Sequence, residues 1–353
     1  MKDGLIEKVT IVGGTSWGTT LGILMARRGV NVSLLTRTEG EAQALEKDRE
    51  NARFLPGASF PPALVVTANH DQALDKVDLL VLAVPAQSLR ENFRKLAKAL
   101  PKEALVLSAA KGLEIGTGKR MSEVINEELP YGDPDRIGVI SGPNLAQEIA
   151  AGKPAASVIA ARDLKVAERM REAVQAPGFR IYSQTDLVGV ELGGALKNVI
   201  ALGAGMVDGL DMGVNAKSVL ITRGLMEMTR LGVSMGAHPF TFSGLTGLGD
   251  LMATCFSPLS RNRFLGQELV RGRTLEDIQS SMPHVAEGVP TTRAVRHLAS
   301  SWKVEMPIAE QTYRILFEGL NCRQAAIDLM QREPKYEVVG LEGDWQRAPG
   351  SIV

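Results

Sequence analysis

The sequence predicts an α/β protein in which a doubly wound parallel sheet is followed by a second, all-helical domain. Three observations carry this. Short apolar or β-branched runs alternate with helical patterns through the first half, one of these passages is a glycine turn, and after Ser183 the strand runs give way to helical periodicity. At 353 residues the chain exceeds what one hydrophobic core usually serves, so two domains are expected. The reading places them at residues 1–184 and 185–335. Residues 336–353 contain Gly340, Gly343, Pro349 and Gly350 with little periodicity and are expected to form a mobile extension.

The first strand is Val9 to Val12, and it runs through Gly13-Gly14-Thr15-Ser16-Trp17-Gly18 into a helical pattern at Leu21, Leu24 and Met25. Strand, glycine turn and helix in this order match a Rossmann-type dinucleotide fingerprint, with phosphates at the helix N-terminus. Gly13 and Gly18 occupy its first and third glycine positions, whereas Thr15 stands at the second, where backbone is expected to approach the pyrophosphate. The same residues spell G-x-S-x-G, a hydrolase nucleophile elbow, but only Met1 to Lys8 precede the strand and no earlier strand is left to supply an oxyanion donor. The second strand, Val30 to Leu35, leads to Arg37, where an NAD-specific fold would place an acid; a guanidinium there suits a 2′-phosphate.

Further strands are expected at Leu64 to Val66, Leu79 to Val84, Ala104 to Ser108, Ile137 to Ile140 and Ala155 to Ala160, most of them separated by helical segments such as Ser88 to Leu100. Ligands bind outside the carboxyl ends of such strands. Those ends carry Val84-Pro85, Lys111-Gly112 and Ser141-Gly142-Pro143-Asn144. Lys111 can reach a phosphate or a carbonyl there, or decorate a solvated loop.

In the second half, Val190, Gly193, Gly194, Ile200, Ala201 and Ala204 fall three, four or seven residues from Lys197, which therefore sits in an apolar helical stripe. An ammonium so placed loses hydration and is readied for proton donation unless it snorkels or finds a carboxylate. Asp250, in the glycine-rich Gly244 to Asp250, is the expected partner. Ser257 to Arg263 gathers hydroxyls, an amide and two guanidiniums in an expected turn suited to phosphate.

Forty basic residues balance forty acidic ones, so no global field recruits nucleic acid or membrane. Cys255 and Cys322 form no disulfide framework, and the N-terminus lacks an apolar leader, which together lead to the expectation of a soluble cytoplasmic chain. The four histidines lie far apart without ligand spacing, and no metal is assigned.

VGGTSWGTTLG, NARFLPGASFP, AVPAQSLR, AAKGLE, SGPNLAQEI, GALKNVIALGAGMVDG, TGLGDLMATC, SPLSRNR and VAEGVPTTRAV together resemble the NAD(P)-dependent glycerol-3-phosphate dehydrogenases, in one order over Val9 to Glu333. The resemblance implies interconversion of dihydroxyacetone phosphate and sn-glycerol 3-phosphate with NADP(H) or NAD(H), for phospholipid synthesis, by a homodimer with no membrane or nucleic-acid partner. It implies Lys197 as proton donor and acceptor, held by Asp250, with Lys111 also catalytic. Around the substrate it places Lys111, Gly142, Asn144, Lys197, Asp250, Ser260, Arg261 and Asn262. Around the cofactor it places Ser16, Trp17, Arg37, Lys111, Ala146, Arg261, Val285 and Glu287. Two residues depart from the pattern: Thr15 at the second glycine position, and Asn144 where a serine or threonine is expected after SGP.

Overall fold

The computed structural model describes residues 4–282, 285–333 and 337, and the expected extension at 336–353 lies, Glu337 aside, outside them. The chain divides into two compact units, one of residues 1–111 and 119–187 and one of residues 112–118 and 188–353, so a short piece next to Lys111 folds with the second unit.

The first unit runs β1 (Lys8–Val12), α1 (Ser16–Arg27), β2 (Asn31–Leu35), α2 (Glu39–Asp48), β3 (Leu64–Thr67), α3 (His70–Leu74), β4 (Leu79–Leu82) and α4 (Ala86–Ala97). It continues through β5 (Leu105–Ser108), α5 (Met121–Glu128), β6 (Ile137–Ser141), α6 (Ala146–Ala150), β7 (Ala155–Ala161), α7 (Leu164–Val174) and β8 (Phe179–Gln184). The strands form one sheet in the order β3-β2-β1-β4-β5-β6-β7-β8. Successive side chains of a strand point to opposite faces, and the sheet has a core on each. Leu79, Val81, Leu105 and Leu107 pack with α1 and α7 on one face, whereas Leu80, Leu82 and Val106 pack with α3, α4 and α5 on the other. The order reverses between β1 and β4, the switch point at which such sheets bind ligands.

Two details differ from the expected all-parallel sheet. β7 pairs antiparallel with β6, while the other pairings between these strands are parallel. The five-residue α6 spans only about 7.5 Å, against about 17 Å for a five-residue strand. It therefore cannot carry the chain back to the start of β6, and β7 returns from the same end. The edge strand β8 was not expected, because it alternates buried Phe179 and Ile181 with exposed Arg180 and Tyr182 and has no continuous apolar run.

The second unit is built of α8 (Leu187–Gly209), α9 (Gly213–Ser234), α10 (Pro239–Ser243), α11 (Asp250–Phe256), α12 (Arg261–Val270), α13 (Leu275–Ser281), α14 (Gly288–Ser301), α15 (Pro307–Phe317) and α16 (Cys322–Met330). α8 begins at Leu187, the last residue of the first unit, and its buried residues contribute to both apolar clusters of the second unit. Its length and apolarity would let it cross a bilayer, yet 83% of its most apolar window is buried inside the protein. It is hydrophobic all round because helices surround it.

Candidate active site

At the end of β1 the chain turns sharply. Gly13 has φ of 110°, and a Cβ there would lie 2.8 Å from the Ala83 carbonyl; a Cβ on Gly18 would lie 2.3 Å from the Gly13 carbonyl. Neither position admits a side chain, which explains the two glycines of the fingerprint. Thr15 behaves otherwise than the fingerprint suggests. Its φ is −81°, so no left-handed backbone is required, and it is the N-cap of α1. Its hydroxyl accepts from the Gly18 N–H at 3.1 Å and donates to the Ala83 carbonyl at 3.0 Å. The hydroxyl proton is therefore spent on the protein and not held for a phosphate. Thr15 also takes the Gly18 and Thr19 N–H groups, leaving those of Ser16 and Trp17 as the donors of the first turn without an acceptor among the described residues. The buried indole N–H of Trp17 has no acceptor among the described residues. Open backbone donors and a helix N-terminus fit a dinucleotide's phosphates.

Ser16 Oγ donates to the Phe54 carbonyl at 2.6 Å, a backbone tie that no nucleophile elbow would have. Arg37 is exposed two residues beyond β2, and its N–H reaches Glu41 Oε2 at 3.4 Å. Glu41 itself, one turn into α2, places Oε1 3.7 Å from where a Gly14 Cβ would be. A carboxylate thus lies beside the loop that the strand-end residue alone did not reveal. Ala146 opens α6 and packs against the α1 side of the sheet, where its carbonyl lies 3.4 Å from Thr20 Oγ1.

Beyond β5 and β6, the expected strand-end residues meet. Lys111 Nζ donates to the Gly142 carbonyl at 2.8 Å. Asn144 Oδ1 accepts from Ser157 Oγ at 2.5 Å, and the buried Asn144 Nδ2 has no acceptor among the described residues. This leaves an amide donor in place of the hydroxyl expected after SGP.

In the second unit Lys197 is only 6% exposed, within a stretch of α8, residues 192–206, that is buried throughout. Its Nζ lies 2.8 Å from Asp250 Oδ1 and donates to Thr254 Oγ1 at 2.6 Å, and Thr254 donates to Asp250 at 3.2 Å. Asp250 opens α11 directly after a wide π-type turn at Leu245–Gly249, and Thr254, one turn on, shares its face. That i,i+4 spacing was the available signal for Thr254, which the sequence reading passed over. Cys255 beside them is buried, and burial pushes its thiol up to about 12, so it is no nucleophile.

The Ser257 to Arg263 segment is not a simple turn, since Ser260 caps α12 by accepting from the Arg263 N–H at 3.2 Å. Its two guanidiniums part company. Arg263 Nε is bound 2.5 Å from Asp208 Oδ2, which also holds Lys217, and so is a structural pair. Arg261 is accessible at the helix N-terminus but crowded by protein, and burial lowers its pKa while Glu287 opposes the shift. Asn262 is buried and bridges inward: it donates to Asn198 Oδ1 at 2.9 Å and accepts from the Gly288 N–H at 2.9 Å. That bond ties the start of α14, with Glu287 as its N-cap, to α12 and α8, while nearby Val285 is exposed.

Comparisons with known proteins cover both halves of the chain. Residues 8–167 match the family model for the N-terminus of NAD-dependent glycerol-3-phosphate dehydrogenase, and residues 186–327 match that for its C-terminus. A glycerol-3-phosphate dehydrogenase [NAD(P)+] of Dehalococcoides mccartyi is 51% identical over 340 residues, 96% of this chain and 95% of that one. Another, of Chlorobium phaeobacteroides, is 45% identical and covers 94% of this chain and 99% of its own. The crystal structure of glycerol-3-phosphate dehydrogenase from Coxiella burnetii superposes with a TM-score of 0.88 at 35% identity, over 93% of this chain and 99% of that one. With both halves of the chain matched in order and half its residues identical to a full-length relative, the protein belongs to the NAD(P)-dependent glycerol-3-phosphate dehydrogenase family.

Proposed function

We propose that Lys197 is the acid–base group of the reaction this enzyme catalyses, the interconversion of dihydroxyacetone phosphate and sn-glycerol 3-phosphate with NAD(P)H. The observation that carries this reading is the buried triangle of Lys197, Asp250 and Thr254. An ammonium has three N–H groups; Asp250 and Thr254 take two and thereby aim the third. Bound nicotinamide supplies or accepts the hydride. As the ketone is reduced, Lys197 stabilises the charge growing on its oxygen and gives it a proton; in the reverse direction it takes the hydroxyl proton. Asp250 keeps the lysine from being an uncompensated buried charge.

The remaining roles belong to the same reading. Arg261, with Ser260 and Asn262, binds the substrate phosphate at the α12 N-terminus. Lys111, Gly142 and Asn144 hold the substrate, Lys111 also serving catalysis and the cofactor. Gly13, Ser16, Trp17, Gly18, Arg37, Ala146, Arg261, Val285 and Glu287 serve the cofactor. Arg37 suits the 2′-phosphate of NADPH, and Glu41 suits ribose hydroxyls, so both nucleotides are accepted.

The product serves phospholipid synthesis in the cytoplasm, without membrane association, a location supported by two unpaired cysteines. The assembly is a homodimer, for which exposed Val214, Phe240 and Phe256 of the second unit offer apolar surface; sedimentation should give twice 37.9 kDa. The reading is tested by following nicotinamide absorbance with dihydroxyacetone phosphate or dihydroxyacetone, and with NADH or NADPH. Turnover of the phosphorylated ketone with both nucleotides is expected, and equal use of dihydroxyacetone would remove the phosphate site.

A further inference from the structure

The segment after α2 carries the motif NARFLPG, to which neither the fingerprint nor the roles above give a task. Asn51 is 2% exposed and its side-chain amide donates twice, to the Gly14 carbonyl at 2.9 Å and to Thr19 Oγ1 at 2.9 Å. Its own carbonyl closes a tight turn by accepting from the N–H groups of Phe54 at 3.1 Å and Leu55 at 2.7 Å. Leu55 anchors that turn in the core, and the Phe54 carbonyl accepts from Ser16 Oγ. Two independent ties therefore fasten this turn to the glycine loop.

The tie to Gly14 has a directional consequence. No cis peptide occurs among the described residues, and in a planar trans peptide the carbonyl and the following N–H point in opposite directions. Because Asn51 holds the Gly14 carbonyl, the Thr15 N–H is turned to the opposite side of the loop. It finds no acceptor there among the described residues, since the Thr15 hydroxyl is engaged with Ala83 and Gly18. A donor left open in a part-buried loop is available to a ligand.

We propose that Asn51 is a positioning residue for the cofactor: by clamping the Gly14–Thr15 peptide it presents the Thr15 N–H to the pyrophosphate. This explains how a threonine serves at the second glycine position. The backbone supplies the donor, the side chain caps the helix, and Asn51 sets the plane between them. The inference rests on the dinucleotide reading of the loop.

The test combines calorimetric titration of NADPH and NADH with the amide resonance of Thr15 in the full-length protein. Asn51→Ala should raise the Kd for NADPH by about tenfold, with kcat at saturating NADPH and the KM for dihydroxyacetone phosphate both held within about twofold. Thr19→Val, which removes only the other acceptor of Asn51, should keep the parent Kd. In the parent, the Thr15 amide should shift on saturation with NADPH. An unchanged Kd in Asn51→Ala, an equal loss in Thr19→Val, or an unmoved Thr15 amide would each overturn the proposal. The last of these needs no variant and stands even if Asn51→Ala fails to fold. A parent that binds neither nucleotide would overturn the dinucleotide reading itself, and this proposal with it.

Discussion

Arg261 and Thr15 show how far a residue type determines its task. In Ser257 to Arg263 the sequence offers two guanidiniums to a phosphate, but Arg263 is committed to Asp208, a partner 55 positions away that spacing could not identify. Arg261 remains, and Arg261→Ala should lower kcat/KM for dihydroxyacetone phosphate by the worth of a charge-assisted contact, roughly 1.5–3 kcal/mol. Steady-state kinetics with unaltered kcat/KM would place the phosphate elsewhere. Thr15→Gly removes a helix cap and a bond to Ala83 but neither the Gly14 carbonyl nor the backbone N–H. It should cost about 1 kcal/mol of stability and change the Kd for NADPH by less than about tenfold. Calorimetry finding binding abolished would show that the hydroxyl itself holds the nucleotide. Lys197 was legible because helical periodicity marks a charge in an apolar stripe, and Asp250 followed as the compensating carboxylate. Asn51 and Glu41 were not, since their importance lies in contacts with a loop brought near only by the sheet.

Among the elements, α9 and α15 are joined by an ionisable group that the chemistry does not use. Glu227, buried on α9, accepts the N–H groups of Ile308 at 2.7 Å and Ala309 at 3.2 Å at the start of α15. Burial raises its carboxyl to about 7 despite these bonds and the nearby Arg230 and Arg223. The folded state therefore binds a proton more tightly than the unfolded chain, so this group's contribution to stability is complete below about 4.5 and falls as pH rises through about 7. Glu227→Gln keeps an acceptor and removes that titration. Thermal melts at pH 5 and pH 8 should show the parent losing more stability than the variant, by on the order of 3 kcal/mol at most. Parallel pH profiles would mean that the carboxylate is not protonated in the fold. The strands β1 to β7 were legible as apolar runs, and α8 as continuous helical periodicity. β8 and the reversed β7 were not: an alternating edge strand resembles a surface segment, and strand direction depends on how far a connection reaches.

For the molecule as a whole, composition and periodicity predicted a sheet followed by helices, and the family models fall on the two halves in that order. The piece at residues 112–118, which folds with the second unit, shows no composition shift that would mark it. What names the substrate is the set of motifs, because the fold alone serves many reactions. The central claim is that a buried lysine, aimed by Asp250 and Thr254, moves the proton while other groups hold the nucleotide. The most direct measurement is kcat of purified Lys197→Met with dihydroxyacetone phosphate and saturating NADPH, paired with calorimetric titration of NADPH into the same protein. A loss of at least about a hundredfold in kcat with an unchanged Kd for NADPH is the predicted result, and near-parent turnover would contradict the account.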